Sequence, residues 1–157
     1  MATLEEYSSD VGLMTREGIV NSRNVSGPAV FTPVEVLLVE DDEADAYLVE
    51  RALNDNPRVG QIVRAKDGEE ALGMIDAGEI KPDLAIIDLS MPRKDGFTLL
   101  KDFASRENVS FTSIVLTSSK AGADARRAWM RGADRFFTKP KTLEKLSSIL
   151  DDVISDL

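Results

Sequence analysis

The 157 residues of this chain include no histidine and no cysteine, so any chemistry it performs falls to carboxylates, hydroxyls and lysines. That absence removes the usual general base, the usual zinc ligand, every Ser/His or Cys/His nucleophilic pair, and all disulfides. What remains has a pattern. The stretch "DLAIIDLSMPRKDG", Asp83 to Gly96, is a hydrophobic run that stops at one carboxylate, Asp88, and breaks into a Pro and Gly loop. "VEVLLVEDD" ends on Glu40, Asp41 and Asp42, "TSIVLT" on Thr117 and "RFFTK" on Lys139. Each residue alone has an ordinary reading. Asp42 can cap a helix beginning near Glu43, Thr117 can simply end a strand, and Lys139 before Pro140 can sit in an exposed loop.

Together they are harder to explain that way, because carboxylates gathered at one edge repel one another and raise each other's pKa values unless a cation neutralises them. Lys139 supplies one positive charge. Oxygen ligands suit Mg²⁺, which takes one or two carboxylates, keeps several waters and binds phosphoryl oxygens. The set is therefore composed for handling a phosphoryl group. No Walker-type Gly-rich loop is present to cradle a nucleoside triphosphate. With no better nucleophile available, a carboxylate is the candidate acceptor, and Asp88 is central among the strand ends. On this reading Asp88 attacks phosphorus in line, Mg²⁺ and Lys139 neutralise the equatorial oxygens, and the Thr117 hydroxyl donates to one of them.

For these residues to meet, the elements carrying them must share an edge. "VEVLLVE", "QIVRA", "DLAIID", "TSIVLT" and "RFFTK" read as five β-rich runs separated by helical periods. Ala44, Leu48 and Ala52, with Val49 and Leu53 beside them, make one apolar stripe; Phe97, Leu100, Phe103 and Ala104 make another. Ala121, Ala125, Ala128 and Trp129 mark the inner face of a fourth helix, and Leu143, Leu146, Ile149, Leu150, Val153, Ile154 and Leu157 that of a fifth. Alternation of this kind implies an α/β fold, a doubly wound parallel sheet with helices on both faces. Runs such as "LAIID", apolar on consecutive residues, are what a strand covered on both faces requires. Ligands of such sheets bind beyond the carboxyl ends of the strands, where the candidate residues lie.

Composition narrows the rest. An apolar content of 43% in a chain of this length supports one compact domain, residues 34–157, with residues 1–33 as a tail or arm. A short helix within "TLEEYSSDVGLMTREGIV" would need the body or another subunit to cover it; otherwise the arm is unordered, and a homodimer through the arm is one expectation. The net charge of −9 argues against a surface for phosphate backbones, so no DNA partner is expected. "MATLEEYSSD" carries glutamates where a secretory signal would be positive, and no run approaches the ~20 apolar residues of a membrane span. The expectation is a cytoplasmic protein with no membrane partner.

The segment from about Val34 to Leu157 resembles the receiver domain of two-component response regulators, with "LLVEDD", "LAIIDLSMPRKDG", "IVLTSS" and "FFTKP" in that family's order and spacing. The resemblance implies a flavodoxin-like (βα)5 sheet of strand order 2-1-3-4-5. It also implies Asp88 as phosphoacceptor, Glu40 and Asp41 as the acidic pair serving Mg²⁺, and Ser90 as a backbone carbonyl ligand. Thr117 would be the switch hydroxyl, Lys139 the phosphate's ion-pair partner, and the Lys139–Pro140 peptide cis. Asp42 is left as a cap.

The family's aromatic switch position falls on Phe136, which either turns by packing alone or is a plain core residue. Ser90 and Ser119 would tune loss of the phosphoryl group to water, two small hydroxyls giving it no special persistence. "VEDDEADAYLVERAL" resembles in particular regulators paired with bacterial phytochrome kinases. A histidine kinase or phosphotransfer protein would donate the group, and output would pass through docking on a downstream protein or a phosphorelay. Met130, on the outer face of the fourth helix between Arg126 and Arg131, is either part of that interface or incidental. Two other readings stay open: a phosphohydrolase with an aspartate nucleophile, whose usual second acid is replaced here by Ser90, and a receiver-fold scaffold that takes no phosphate.

Overall fold

Val34–Val39 (β1), Val59–Ala65 (β2), Leu84–Ile87 (β3), Thr112–Thr117 (β4) and Arg135–Thr138 (β5) pair in the order β2-β1-β3-β4-β5. All four pairings are parallel, as the doubly apolar runs require. In this computed structural model the described residues are 31–157, together with two short strands ahead of them. Helices Glu43–Asn54 (α1), Gly68–Asp76 (α2), Gly96–Ala104 (α3), Gly122–Met130 (α4) and Leu143–Ser155 (α5) make the crossovers.

Alternate residues of the strands feed two separate cores. Val36, Leu38, Leu84, Ile86, Ile114 and Leu116 face Val49, Leu53, Leu150 and Ile154 of α1 and α5. Leu37, Val39, Ala85, Ile87 and Val115 face Ala71, Leu99, Leu100, Phe103 and Ala128 of α2, α3 and α4. Register does the positioning. Val39 lies opposite Ile87, so Glu40 and Asp88, the next residue of each strand, emerge side by side. The Asp88 N–H donates to the Val39 carbonyl at 3.0 Å and fixes that step. The chain leaves β1 towards β2 and returns on the other side to β3, so the crevice at this pair is the reversal point where doubly wound sheets bind ligands.

Caps fix where the helices begin. The carboxylates of Asp42, Asp67 and Asp95 accept backbone N–H groups at the starts of α1, α2 and α3, and the Thr142 hydroxyl does so for α5. Each such cap contributes about 1 kcal/mol. The fourth helix differs: Ala121 caps it with no side-chain hydrogen bond, and among its residues only Ala128 is buried.

Several expectations need correction, among them Ala104 and Leu157, which the apolar stripes of α3 and α5 included and which are exposed. The buried stripe of α1 is Ala46, Val49, Ala52 and Leu53, whereas Ala44 is exposed and Leu48 is 41% exposed. Val49, Ala52 and Leu53 are buried as expected, and Ala46 takes the place of Ala44 and Leu48 because the sheet meets the helix on that side. In α4 the indole of Trp129 is 58% exposed, because a helix touching the sheet mainly through one alanine has no room beneath it for an indole. Ala121 is exposed at the cap as well. The Lys139–Pro140 peptide is trans, the isomer that X–Pro bonds favour intrinsically by about 0.5–1 kcal/mol. Finally, Met14–Thr15 and Gly18–Ile19 pair antiparallel where a helix was considered. Glycine and β-branched Thr15 and Ile19 weaken a helix there. The rest of residues 1–30, and with it the expectation for the arm, lies outside the described residues. Among the described residues, no helix is long and apolar enough to cross a membrane.

Candidate functional site

Glu40 follows β1 directly and is 2% exposed. Its Oε1 accepts the Asp42 N–H at 3.0 Å and its Oε2 accepts from Lys139 Nζ at 2.7 Å. The backbone around it is strapped from the neighbouring strand. Arg64, near the end of β2, donates from Nε to the Glu40 carbonyl at 3.0 Å and from its guanidinium to the Asp41 carbonyl at 3.2 Å, and pairs with Glu43 at 3.0 Å. The Asp41 carboxylate stands exposed beside this frame. Burial pushes the Glu40 carboxyl up to about 6, with Asp88 adding to the effect and the hydrogen bonds from Lys139 and Asp42 opposing it.

Asp88, directly after β3, is buried, and its Oδ1 has no hydrogen-bond partner. Its Oδ2 lies 3.5 Å from Lys139 Nζ. The loop that follows is packed too tightly for substitution at one point: a Cβ on Gly96 would come 2.8 Å from Leu89 Cα and closer still to the Asp88 carbonyl. Glycine there lets α3 begin hard against the Asp88 backbone, with the Gly96 N–H on the Leu89 carbonyl at 3.1 Å. The loop is also tied sideways. Arg93, in the left-handed region at φ 62°, pairs with the buried Asp67, and the Gly68 N–H donates to the Lys94 carbonyl at 3.2 Å. Ser90 lies in this loop, two residues past Asp88, with an exposed side chain.

Thr117 ends β4 and is 1% exposed. Its hydroxyl accepts the Ser119 N–H at 3.4 Å, and its carbonyl accepts the Lys139 N–H at 2.7 Å. The Ser119 hydroxyl donates to Asp124, and Thr138 Oγ1 donates to the Ser119 carbonyl at 3.3 Å. Phe136 is half-buried in β5 and packs on the core shared with α2, α3 and α4. Burial works against the Lys139 ammonium, but hydrogen bonds to Asp45 and Glu40 and the field of Asp88 outweigh it and raise its pKa above the usual lysine range.

Glu40, Asp41, Asp88 and Lys139 thus share one crevice, Thr117 lies at the adjacent strand end, and Phe136 lies on a core layer outside it. Sequence reasoning missed Arg64, Asp45 and the Asp67–Arg93 pair. Arg64 had a signal, being a cation near the carboxyl end of a strand beside two acids. Oxygens of Glu40, Asp41 and Asp88 lie within 4.8 Å of one another. A hard divalent cation fits this all-oxygen set, and Asp88 Oδ1 is a buried acceptor with no donor of its own.

Comparison with known proteins agrees with the geometry. The family model described as the response regulator receiver domain matches residues 36–151. The probable methanogenesis regulatory protein FilR2 of Methanothrix harundinacea is 30% identical over 77% of this chain and 81% of its own length. For other curated relatives the chain spans about a third to a half of their length. Among solved structures, the phosphorylated cyanobacterial phytochrome response regulator RcpA is similar at a TM-score of 0.72 and 27% identity, over 78% of this chain and 91% of that one. The Mn²⁺-bound response regulator Rcp1 is similar at a TM-score of 0.69 and 27% identity, over 78% and 93%. Five parallel strands in that order, an acidic crevice at their reversal point and a family match over most of the chain lead to one conclusion: the chain belongs to the response regulator receiver domain family.

Proposed function

We propose that this chain is a stand-alone response regulator that accepts a phosphoryl group on Asp88 in a Mg²⁺-dependent reaction and signals through protein docking or phosphorelay. The observation that carries the reading is Asp88 itself, a buried carboxylate at the reversal point with one oxygen unpartnered, two acids beside it and a lysine ammonium within 3.5 Å. Glu40, Asp41, Asp88 and the Ser90 carbonyl would hold the cation. When bound, Mg²⁺ neutralises charge on the transferring group's oxygens.

In the transfer an Asp88 oxygen forms a bond to phosphorus as the bond to the donor breaks. The donor is a phosphohistidine nitrogen of a kinase or phosphotransfer protein, or a small acyl phosphate, and the leaving group keeps the bond's electron pair. The chain has no histidine to supply that nitrogen. Lys139 pairs with the incoming oxygens, and Thr117 moves its hydroxyl towards them. Phosphorylation adds up to about two negative charges at Asp88. Movement of Thr117 vacates space beside β5, into which Phe136 turns, and the α4-β5-α5 face changes for a downstream partner. Residues 34–157 act as the receiver and 1–33 as an arm, in the cytoplasm.

Incubation with acetyl phosphate and Mg²⁺ tests the reading: intact mass rises by one phosphoryl group, and the gain disappears with a chelator and in Asp88→Asn. Rapid turnover of many phosphate esters would favour the phosphohydrolase, and no gain would favour the scaffold.

A further inference from the structure

Lys139 Nζ is committed to two carboxylates at 2.7 Å, Glu40 Oε2 and Asp45 Oδ2, while Asp88 Oδ2 stands off at 3.5 Å. An ammonium has three donors, and two are taken by these short contacts, which leaves Asp88 with the longest of the three carboxylate distances. Glu40 belongs to the oxygen cluster suited to a cation; Asp45 does not. Asp45 sits in the first turn of α1, its backbone N–H held by Asp42 at 2.8 Å and its side chain 40% exposed. Cation binding therefore gives no account of why its carboxylate reaches across to a lysine 94 positions later.

We propose that Asp45 is a positioning residue that holds Lys139 off Asp88 in the unphosphorylated protein and releases it to the phosphoryl group. This rests on the reading of Asp88 as phosphoacceptor and deepens it. A phosphoryl group brings new acceptor oxygens and up to about two negative charges to Asp88, whose Oδ2 lies 3.5 Å from Lys139 Nζ. The carboxylates of Glu40 and Asp45 and the phosphoryl oxygens then draw on one ammonium, so the Asp45 contact competes with the phosphoryl group for its position and charge. Its release also frees a carboxylate at the start of α1, so that this end of the helix would report the state of Asp88. Solvent reaches Asp45, so the competition is modest.

The test is titration with beryllofluoride, a phosphoryl mimic, in the presence of Mg²⁺, followed by fluorine NMR on the full chain. Asp45→Asn binds the mimic about two- to fivefold more tightly than wild type, the range a half-exposed ion pair gives. A merely structural role is separated by three further readings. Affinity for Mg²⁺ alone does not rise in Asp45→Asn, because a negative charge has been removed and Lys139 leans further onto Glu40. The thermal midpoint stays within a few degrees of wild type. Asp45→Glu, which keeps the charge, returns affinity for the mimic towards the wild-type value. Equal or weaker binding of the mimic by Asp45→Asn, or a matching rise in affinity for Mg²⁺ alone, overturns the proposal. If wild type itself binds no mimic and takes no phosphate on Asp88, the phosphoacceptor reading falls; if wild type responds and Asp45→Asn is unchanged, only the role of Asp45 falls.

Discussion

Arg64 donates its Nε–H to the carbonyl oxygen of Glu40 at 3.0 Å, so the edge strand β2 holds the backbone that presents the acidic pair. The same guanidinium reaches the Asp41 carbonyl. Groups that orient metal ligands from behind commonly contribute 10- to 100-fold in affinity. Arg64→Met keeps the apolar stem and deletes the donors, and its Mg²⁺ affinity by calorimetry falls about tenfold. An unchanged value would mean that the strand alone positions Glu40 and Asp41.

Glu40 gives the site a pH dependence with a definite sign. Its carboxyl is raised from 4.5 to about 6 in the folded chain, so folding favours its protonated form. That contribution is complete below about pH 4.5 and is lost as pH rises through about 6. Relative to Glu40→Gln, metal-free wild type should lose about 2 kcal/mol of stability between pH 4.5 and 7.5, measured by urea unfolding at each pH. A flat or opposite difference would mean that Lys139 stabilises the ionised form more than burial opposes it.

Gly96 is fixed by packing against the Asp88 backbone, not by an unusual φ. Gly96→Ala drives a methyl group into the Asp88 carbonyl and Leu89 Cα. Overpacking of this kind costs about 1–3 kcal/mol, and here the displaced atoms carry the acceptor. The variant should melt lower and take phosphate from acetyl phosphate more slowly, whereas Gly73→Ala, with open space around it, should do neither.

The chain's only tryptophan, Trp129, is 58% exposed next to Met130 at 81%. Its fluorescence should be that of a solvated indole and be quenched readily by acrylamide in the unphosphorylated protein. Protection from quencher would restore the inward orientation that helical spacing alone had implied.

The fold was legible because five β-rich runs alternated with helical periods, and four of the runs ended on a residue able to do chemistry. Glu40, Asp88, Thr117 and Lys139 were placed correctly at the carboxyl edge by that reading. The orientations of α1 and α4 were legible only in part: Val49, Ala52 and Leu53 of the expected α1 stripe are buried, but Ala44 and Leu48 match a helical face with them as well as Ala46 does. Only the sheet beneath decides between them. Pairings such as Asp45 with Lys139, or Asp67 with Arg93, leave no local trace because the partners are far apart in sequence. The Lys139–Pro140 peptide departs from what the resemblance implied, and no residue pattern nearby signals it.

The central claim is that Asp88 is the residue phosphorylated, and chemical trapping tests it most directly. Borohydride reduces an aspartyl phosphate to homoserine, so treating the acetyl phosphate-loaded protein and sequencing its peptides by mass spectrometry identifies the acceptor. The account predicts homoserine at position 88, dependent on Mg²⁺. Homoserine at Asp41 or Asp42 instead, or an unmodified Asp88 after full exposure to donor and Mg²⁺, would contradict it.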